Sequence, residues 1–124
     1  MKNVQKLSHE VAVNAYLFYK DKFLLLLRAK QPKIWVPPGG RLLRLEDPIE
    51  GLKREVFEET GQSIEVLDPV TTWFGKFNDR LLLSIDYCCR SLNNYVALSE
   101  EHSDYRWLTF QDLKQVPLDF ILSI

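Results

Sequence analysis

The stretch from Trp35 to Gly61, WVPPGGRLLRLEDPIEGLKREVFEETG, constrains this chain more than any other. Asp47 can cap a helix, Pro48 suits a first helical position because no N–H is needed there, and Glu50 stands where a capping box would place it. Gly61 can turn left-handed after the last turn. The spacing therefore predicts a helix over 48–60. Its apolar stripe is Ile49, Leu52 and Val56, with Phe57 to one side. Glu55, Glu58 and Glu59 fall in a neighbouring sector near the C-terminal end, and Arg54 stands beside them.

For a bare helix that acidic sector is unfavourable. Glu55 and Glu59 are like charges one turn apart, an arrangement that destabilises by roughly 0.2–0.5 kcal/mol. Acids are also disfavoured at a helix C-terminus, where the dipole prefers cations. Glu50 and Arg54 have the spacing of a favourable pair, but one arginine cannot neutralise three glutamates. Two readings stand side by side. One is a solvated acidic face; the other is a site for a hard divalent cation, magnesium or manganese, completed by a phosphate-bearing substrate.

The rest of the chain narrows the setting. Its 124 residues are enough for one domain, 1–124, with its own core. A hydrophobic content of 46% and a charged content of 27% are those of a soluble globular protein. The formal charge of −1 gives no bulk attraction for nucleic acid or anionic membrane, so no stable nucleic-acid binding is expected. Phosphates must be held locally. Cys88 and Cys89 are adjacent, which suits neither a disulfide between them nor a metal site, so they read as free thiols in a reducing cytoplasm. The start, MKNVQKLSHEV, lacks the apolar run of a signal peptide, and the apolar stretches are strand-sized rather than membrane-spanning.

Hydrophobic patterning predicts a hairpin of strands over 11–19 and 23–28, joined by Lys20-Asp21-Lys22. The second, FLLLLR, is apolar almost throughout, which predicts burial on both faces and a sheet covered on both sides. Residues 35–40 read as a loop. A strand over 63–67 is expected to break at Asp68-Pro69, followed by a hairpin of 70–77 and 80–90 around Asn78-Asp79. Residues 91–102 read as a loop with room for a short strand, and 105–108 as a last short strand. Thr109 caps a helix over 110–116 that Pro117 stops, and the apolar tail LDFILSI is expected to pack on the body.

The span from Gly40 to Gly61 resembles the Nudix box, G-x5-E-x7-R-E-U-x-E-E-x-G-U with U a bulky aliphatic residue. Gly40, Glu46, Arg54, Glu55, Val56, Glu58, Glu59 and Gly61 all match at the right spacing. The preceding Trp35, Pro38, Gly39 and Gly40 are also in the family style, as is a late acid followed by Trp107-Leu108. Three positions depart from the pattern. Gln62 replaces an aliphatic residue, Leu45 stands where Gly is frequent, and Leu43 stands where many members have an acid.

The resemblance implies an α/β fold: a Nudix-like α/β/α sandwich, a mixed β-sheet between helices with a loop-helix-loop catalytic motif. It implies hydrolysis of a nucleoside diphosphate linked to another moiety, with Mg2+ or Mn2+ as cofactor. Glu55, Glu58 and Glu59 would bind the divalent ions, with the Gly39 carbonyl and Glu100 as further ligands. Arg54 would orient the carboxylates and Glu46 would pair with it. Glu55 or a downstream acid, Glu100, Glu101 or Asp104, would take the proton from water. Arg28 and Gly40 would contact phosphate, and Trp107 or Trp35 could stack on a base. The dinucleoside polyphosphate and ADP-ribose branches tend to carry a Tyr or a Pro near the positions of Phe77 to Asp79, and neither is there. Elimination favours a MutT-like nucleoside triphosphate pyrophosphatase, a monomer or homodimer. The alternatives are an ADP-ribose or nucleotide-sugar pyrophosphatase and a non-catalytic nucleotide-binding sensor domain.

Overall fold

The computed structural model describes residues 8–114. Strands β1 (Glu10–Tyr19) and β2 (Lys22–Arg28) form the first hairpin, meeting at Phe18↔Phe23 and Tyr19↔Lys22. Lys20 turns the chain there with a φ of 55°. Two short strands follow where a loop was expected: β3 (Trp35–Val36) pairs with β2, and β4 (Gly39–Arg41) pairs with β1. After helix α1 (Pro48–Thr60) come β5 (Ile64–Phe77), β6 (Arg80–Ser91), β7 (His102–Thr109) and the one-turn helix α2 (Phe110–Leu113). The central order is β3-β2-β1-β6-β5, with β7 also on β2. Because β1 and β6 run parallel and the other pairs antiparallel, the sheet is mixed.

Helix α1 begins and ends where its caps dictate. Asp47 accepts from the N–H groups of Ile49 and Glu50, and Gly61 takes the left-handed φ of 73°. Its buried stripe differs from the expected one. Leu52 and Val56 are fully buried against Val13, Ala15 and Leu17 of β1, but Ile49 is 40% exposed. Ile49 lies in the first turn, whereas the buried side chains fall on the second turn and beyond. Thr60 and Glu59 complete the buried side. Seven residues beyond Leu52, two helical turns on, Glu59 faces the same way as that leucine. So one of the three glutamates points toward the core, not along a common acidic edge.

Three further expectations need correction. Strand β5 does not break at Asp68-Pro69; it continues through register shifts on either side of that pair. It ends the central strand order, and an edge tolerates both a proline and a bulge. Strand β7 starts at His102, three residues early, because its exposed polar residues still pair with β2 from Arg28↔His102 to Lys22↔Thr109. Gln62 is buried, and its amide donates to Tyr95 O and to Asn93 Oδ1 (3.2 Å) and accepts from the Ser91 hydroxyl. The residue that departs from the family's aliphatic position, where a polar side chain would be expected to loosen the packing, instead ties the 92–101 loop to the end of α1. Ala97 N–H adds a bond to Thr60 O at 2.9 Å. Helix α2 has its Thr109 capping box; the expected helix end over 115–116, Pro117 and the LDFILSI tail lie outside the described residues.

Two substitutions toward the family pattern should act in opposite directions. Leu45 holds a φ of 65° while 94% exposed. The left-handed region costs about 1–2 kcal/mol for a non-glycine residue and glycine's extra entropy about 0.5–1 kcal/mol. Leu45→Gly should therefore raise stability by about 0.5 kcal/mol or slightly more in denaturant unfolding. Gln62→Leu, which strips partners from Ser91 and Tyr95, should lower it by about 1–3 kcal/mol.

Candidate active site

The site is organised by one guanidinium. Arg54 forms a two-pronged bond to Glu46, Nε–Oε2 at 2.7 Å and Nη2–Oε1 at 3.0 Å. Its Nη1 reaches Glu55 Oε1 at 2.8 Å and Glu58 Oε1 at 3.0 Å. Glu46 Oε1 also accepts from Leu43 N–H at 2.9 Å, so the loop before α1 is fastened to the middle of the helix. These bonds hold the Glu46 carboxyl down at a pKa of about 2. Glu50, expected opposite Arg54, pairs with Lys53 at 3.8 Å instead.

Arg54 does not serve Glu59. That side chain is 4% exposed, and Glu59 Oε1 accepts from Gly39 N–H at 2.9 Å. Burial pushes its pKa up to about 9, with the Glu55, Glu101 and Glu58 carboxylates adding to the rise. Burial likewise raises Glu55 against the lowering pull of Arg54. Gly40 lies so close to the Glu55 carboxylate that a Cβ there would collide with it. A glycine is what lets β4 and α1 approach.

The far wall comes from the end of β2 and the start of β7. Arg28 sits opposite His102 beside an irregularity in the ladder, and Ala29 N–H donates to Glu101 O at 2.9 Å. Irregularities of this kind re-aim side chains. Here a ligand atom of Glu101 and one of His102 come within 4.8 Å of each other and of Glu59. Between the walls is a cleft of about 560 Å³, the size of a small-ligand site. Arg28, Lys30 and Arg41 line it together with Gly39, Gly40, Glu55, Glu59, Glu100, Glu101 and His102. Arg28 donates from Nε to Pro32 O at 3.0 Å and packs over the Phe77 ring at 5.3 Å.

Not every expected side chain is here. Glu58 is 56% exposed, turned to Arg54 and absent from the cleft lining. Glu100 lines the cleft, while Glu101 joins the cluster with Glu59. Asp104 lies further along β7, opposite Leu27, and is exposed. Trp107 packs on the core and donates from Nε1 to Asn94 O at 3.1 Å, and Trp35 lies under Arg106. Neither tryptophan is among the described residues that line the cleft, whereas Phe77 is.

A profile of the NUDIX domain matches residues 8–122. The chain belongs to the Nudix family. It is 32% identical over 107 residues to a MutT-like protein of Streptomyces ambofaciens, covering 86% of this chain and 68% of that protein. It is 28% identical over 100 residues to the nucleoside triphosphatase NudI of Klebsiella pneumoniae, covering 71% and 70%. Among solved structures, a MutT protein from Methanosarcina mazei superposes with a TM-score of 0.80 at 25% identity, covering 92% of this chain and 86% of that one. A Caenorhabditis elegans Ap4A hydrolase gives 0.79 at 24% identity over 86% and 85%, a likeness of fold. The fold is thus the Nudix α/β/α sandwich, and the protein is a pyrophosphohydrolase acting on a nucleoside diphosphate linked to another group.

Nudix hydrolases use divalent metals, and the residues present fit one. A buried carboxyl with no cationic partner among the described residues, beside other carboxylates, is a poor arrangement until a cation joins it. Two features escaped the sequence reading. His102 looked like a loop residue among acids. A buried polar network joins Asn14 Nδ2 to Ser84 Oγ (2.6 Å) and Asp86 Oδ1 (3.0 Å), and Tyr16 OH to Asp86 Oδ2 (3.1 Å). Its signal was polar residues at alternate positions of two apolar strands, opposite one another at Asn14↔Asp86. The network leaves the Asn14 amide fixed in the cleft wall.

Metal-free protein should show the burial of Glu59 in its pH dependence. The folded state keeps a proton on Glu59 up to about pH 9, whereas the unfolded chain releases it near the ordinary carboxyl value of 4.5. Stability from this group is therefore lost as pH rises through that window. Glu59→Gln should match wild type below the window and melt at progressively higher temperature than wild type across it, both in chelator. A constant gap, or a less stable variant at pH 8, would contradict this placement of the side chain.

Proposed function

We propose that this Nudix hydrolase is a MutT-like (deoxy)nucleoside triphosphate pyrophosphatase that releases nucleoside monophosphate and pyrophosphate with Mg2+ or Mn2+. The observation that carries the reading is one cleft lined by carboxylates from both walls together with Arg28, Lys30 and Arg41. Such a site suits a polyphosphate chain held between cations of both kinds, metal and side chain. The nucleoside triphosphatase named among the relatives supports the same class.

Glu55, Glu58, Glu59, Glu100 and the Gly39 carbonyl would hold the ions. The chemistry such ions would supply is neutralisation of phosphate charge and a lowered pKa of a bound water. The chain's own groups do the rest. Glu55, or Glu101 across the cleft, accepts the proton of the attacking water. Arg54 holds Glu55 at a set angle. Arg28 and the Gly40 backbone take the phosphates. The free thiols of Cys88 and Cys89 fit a reducing, cytoplasmic setting.

Purified protein incubated with Mg2+ and a panel of (deoxy)nucleoside triphosphates, ADP-ribose and nucleotide sugars tests this directly. Pyrophosphate, not orthophosphate, should appear from a triphosphate. Glu55→Gln should lower kcat by roughly 10²–10⁴ without loss of fold. Turnover confined to ADP-ribose or nucleotide sugars would overturn the substrate class, and nucleotide binding without any turnover would overturn the catalytic role.

A further inference from the structure

The chain has two histidines, and one of them faces the acidic cluster. His102 is only 9% exposed, and its Nδ1 is buried with no hydrogen-bond partner among the described residues. Buried polar atoms are almost always paired, so an unpaired imidazole nitrogen in a cleft calls for a ligand. Its surroundings say which kind. A donor atom of His102 lies within 4.8 Å of carboxylate oxygens of both Glu59 and Glu101. Two carboxylates and a neutral imidazole converging at that distance make a metal-ligand set.

The backbone holds this set in place from two sides. His102 is fixed opposite Arg28 in the β2–β7 ladder, with the irregularity at Leu27/Arg28 beside it. The Ala29 N–H to Glu101 O bond clamps the preceding residue. Glu59 is fixed by α1 packing and by Gly39 N–H. The three donors thus come from three separately anchored segments.

We propose that Glu59, Glu101 and His102 form a mixed oxygen–nitrogen cation site, with His102 as a direct ligand, that selects Mn2+ or Co2+ over Mg2+. The choice of metal follows from the donor set: magnesium prefers all-oxygen surroundings and keeps its waters, whereas first-row transition ions accept an imidazole nitrogen beside carboxylates, Co2+ more strongly than Mn2+. The proposal rests on the reading of the cleft as a metal-dependent hydrolytic site and adds to it Glu101 and His102 as ligands and the preferred ion, which leaves Glu55 as the proton acceptor.

Pulsed electron paramagnetic resonance of the full chain loaded with Mn2+ tests it. An imidazole 14N coupling should appear in wild type, change to the 15N pattern when histidine is 15N-labelled, persist in His9→Gln and vanish in His102→Gln. The ratio of Mn2+ to Mg2+ affinity should fall about 10-fold in His102→Gln, because an amide oxygen replaces the nitrogen donor. Bound Mn2+ with normal turnover but no nitrogen coupling would overturn the inference and leave the hydrolase reading intact. A coupling lost in His9→Gln instead would also overturn it. Absence of both Mn2+ binding and turnover would remove both.

Discussion

Arg54 is one cation facing more carboxylates than it can satisfy, and how it is shared determines the rest of the site. It takes Glu46 in a two-pronged bond and donates from Nη1 to Glu55 and Glu58. That fastens the loop before α1 to the helix and holds Glu55 beside Gly40. It also leaves Glu59 buried with a backbone N–H as its bonding partner. The one arginine thereby bonds to three of the four acids and leaves the fourth, Glu59, without it. That buried fourth carboxyl is where a divalent ion has most to gain.

The sheet supplies the opposite wall. Strand β7 runs along the full length of β2, which carries the acids preceding it to the foot of Arg28. The 92–101 loop that delivers those acids is anchored through Gln62 and Ala97 to the end of α1. Both walls of the cleft are therefore tied to the same helix, one through Arg54 and one through its C-terminal cap. Rigid backbone on both sides is what a site needs when it must position a polyphosphate between cations.

Much of this was legible in the sequence where the determinants are local. Helix α1 was readable to the residue because Asp47, Pro48 and Gly61 act on their nearest neighbours. The Glu46–Arg54 pairing followed from the family resemblance of the box. What depended on strand pairing was harder to see. Pro69 reads as a break, and only its place in an edge strand makes it harmless. His102-Ser-Asp reads as loop because its polarity is visible while its partner strand is not. The burial of Glu59 was hidden by grouping it with Glu55 and Glu58, although its two-turn spacing from Leu52 pointed inward. Ile49 erred the other way: it has the right angle on the helix and the wrong height. The two tryptophans have the chemistry to stack on a base; in the fold one packs on the core and the other lies under Arg106.

Calorimetric titration of Mn2+ into metal-free protein at pH 7, in buffers of different ionisation enthalpy, tests most directly whether the buried Glu59 carboxyl exists to receive a cation. Glu59 carries a proton before the ion arrives, because burial raises its pKa to about 9. Binding should therefore release about one proton per protein, a release lost in Glu59→Gln along with most of the affinity. Binding without proton release, at an affinity that Glu59→Gln leaves unchanged, would contradict the central role given to Glu59.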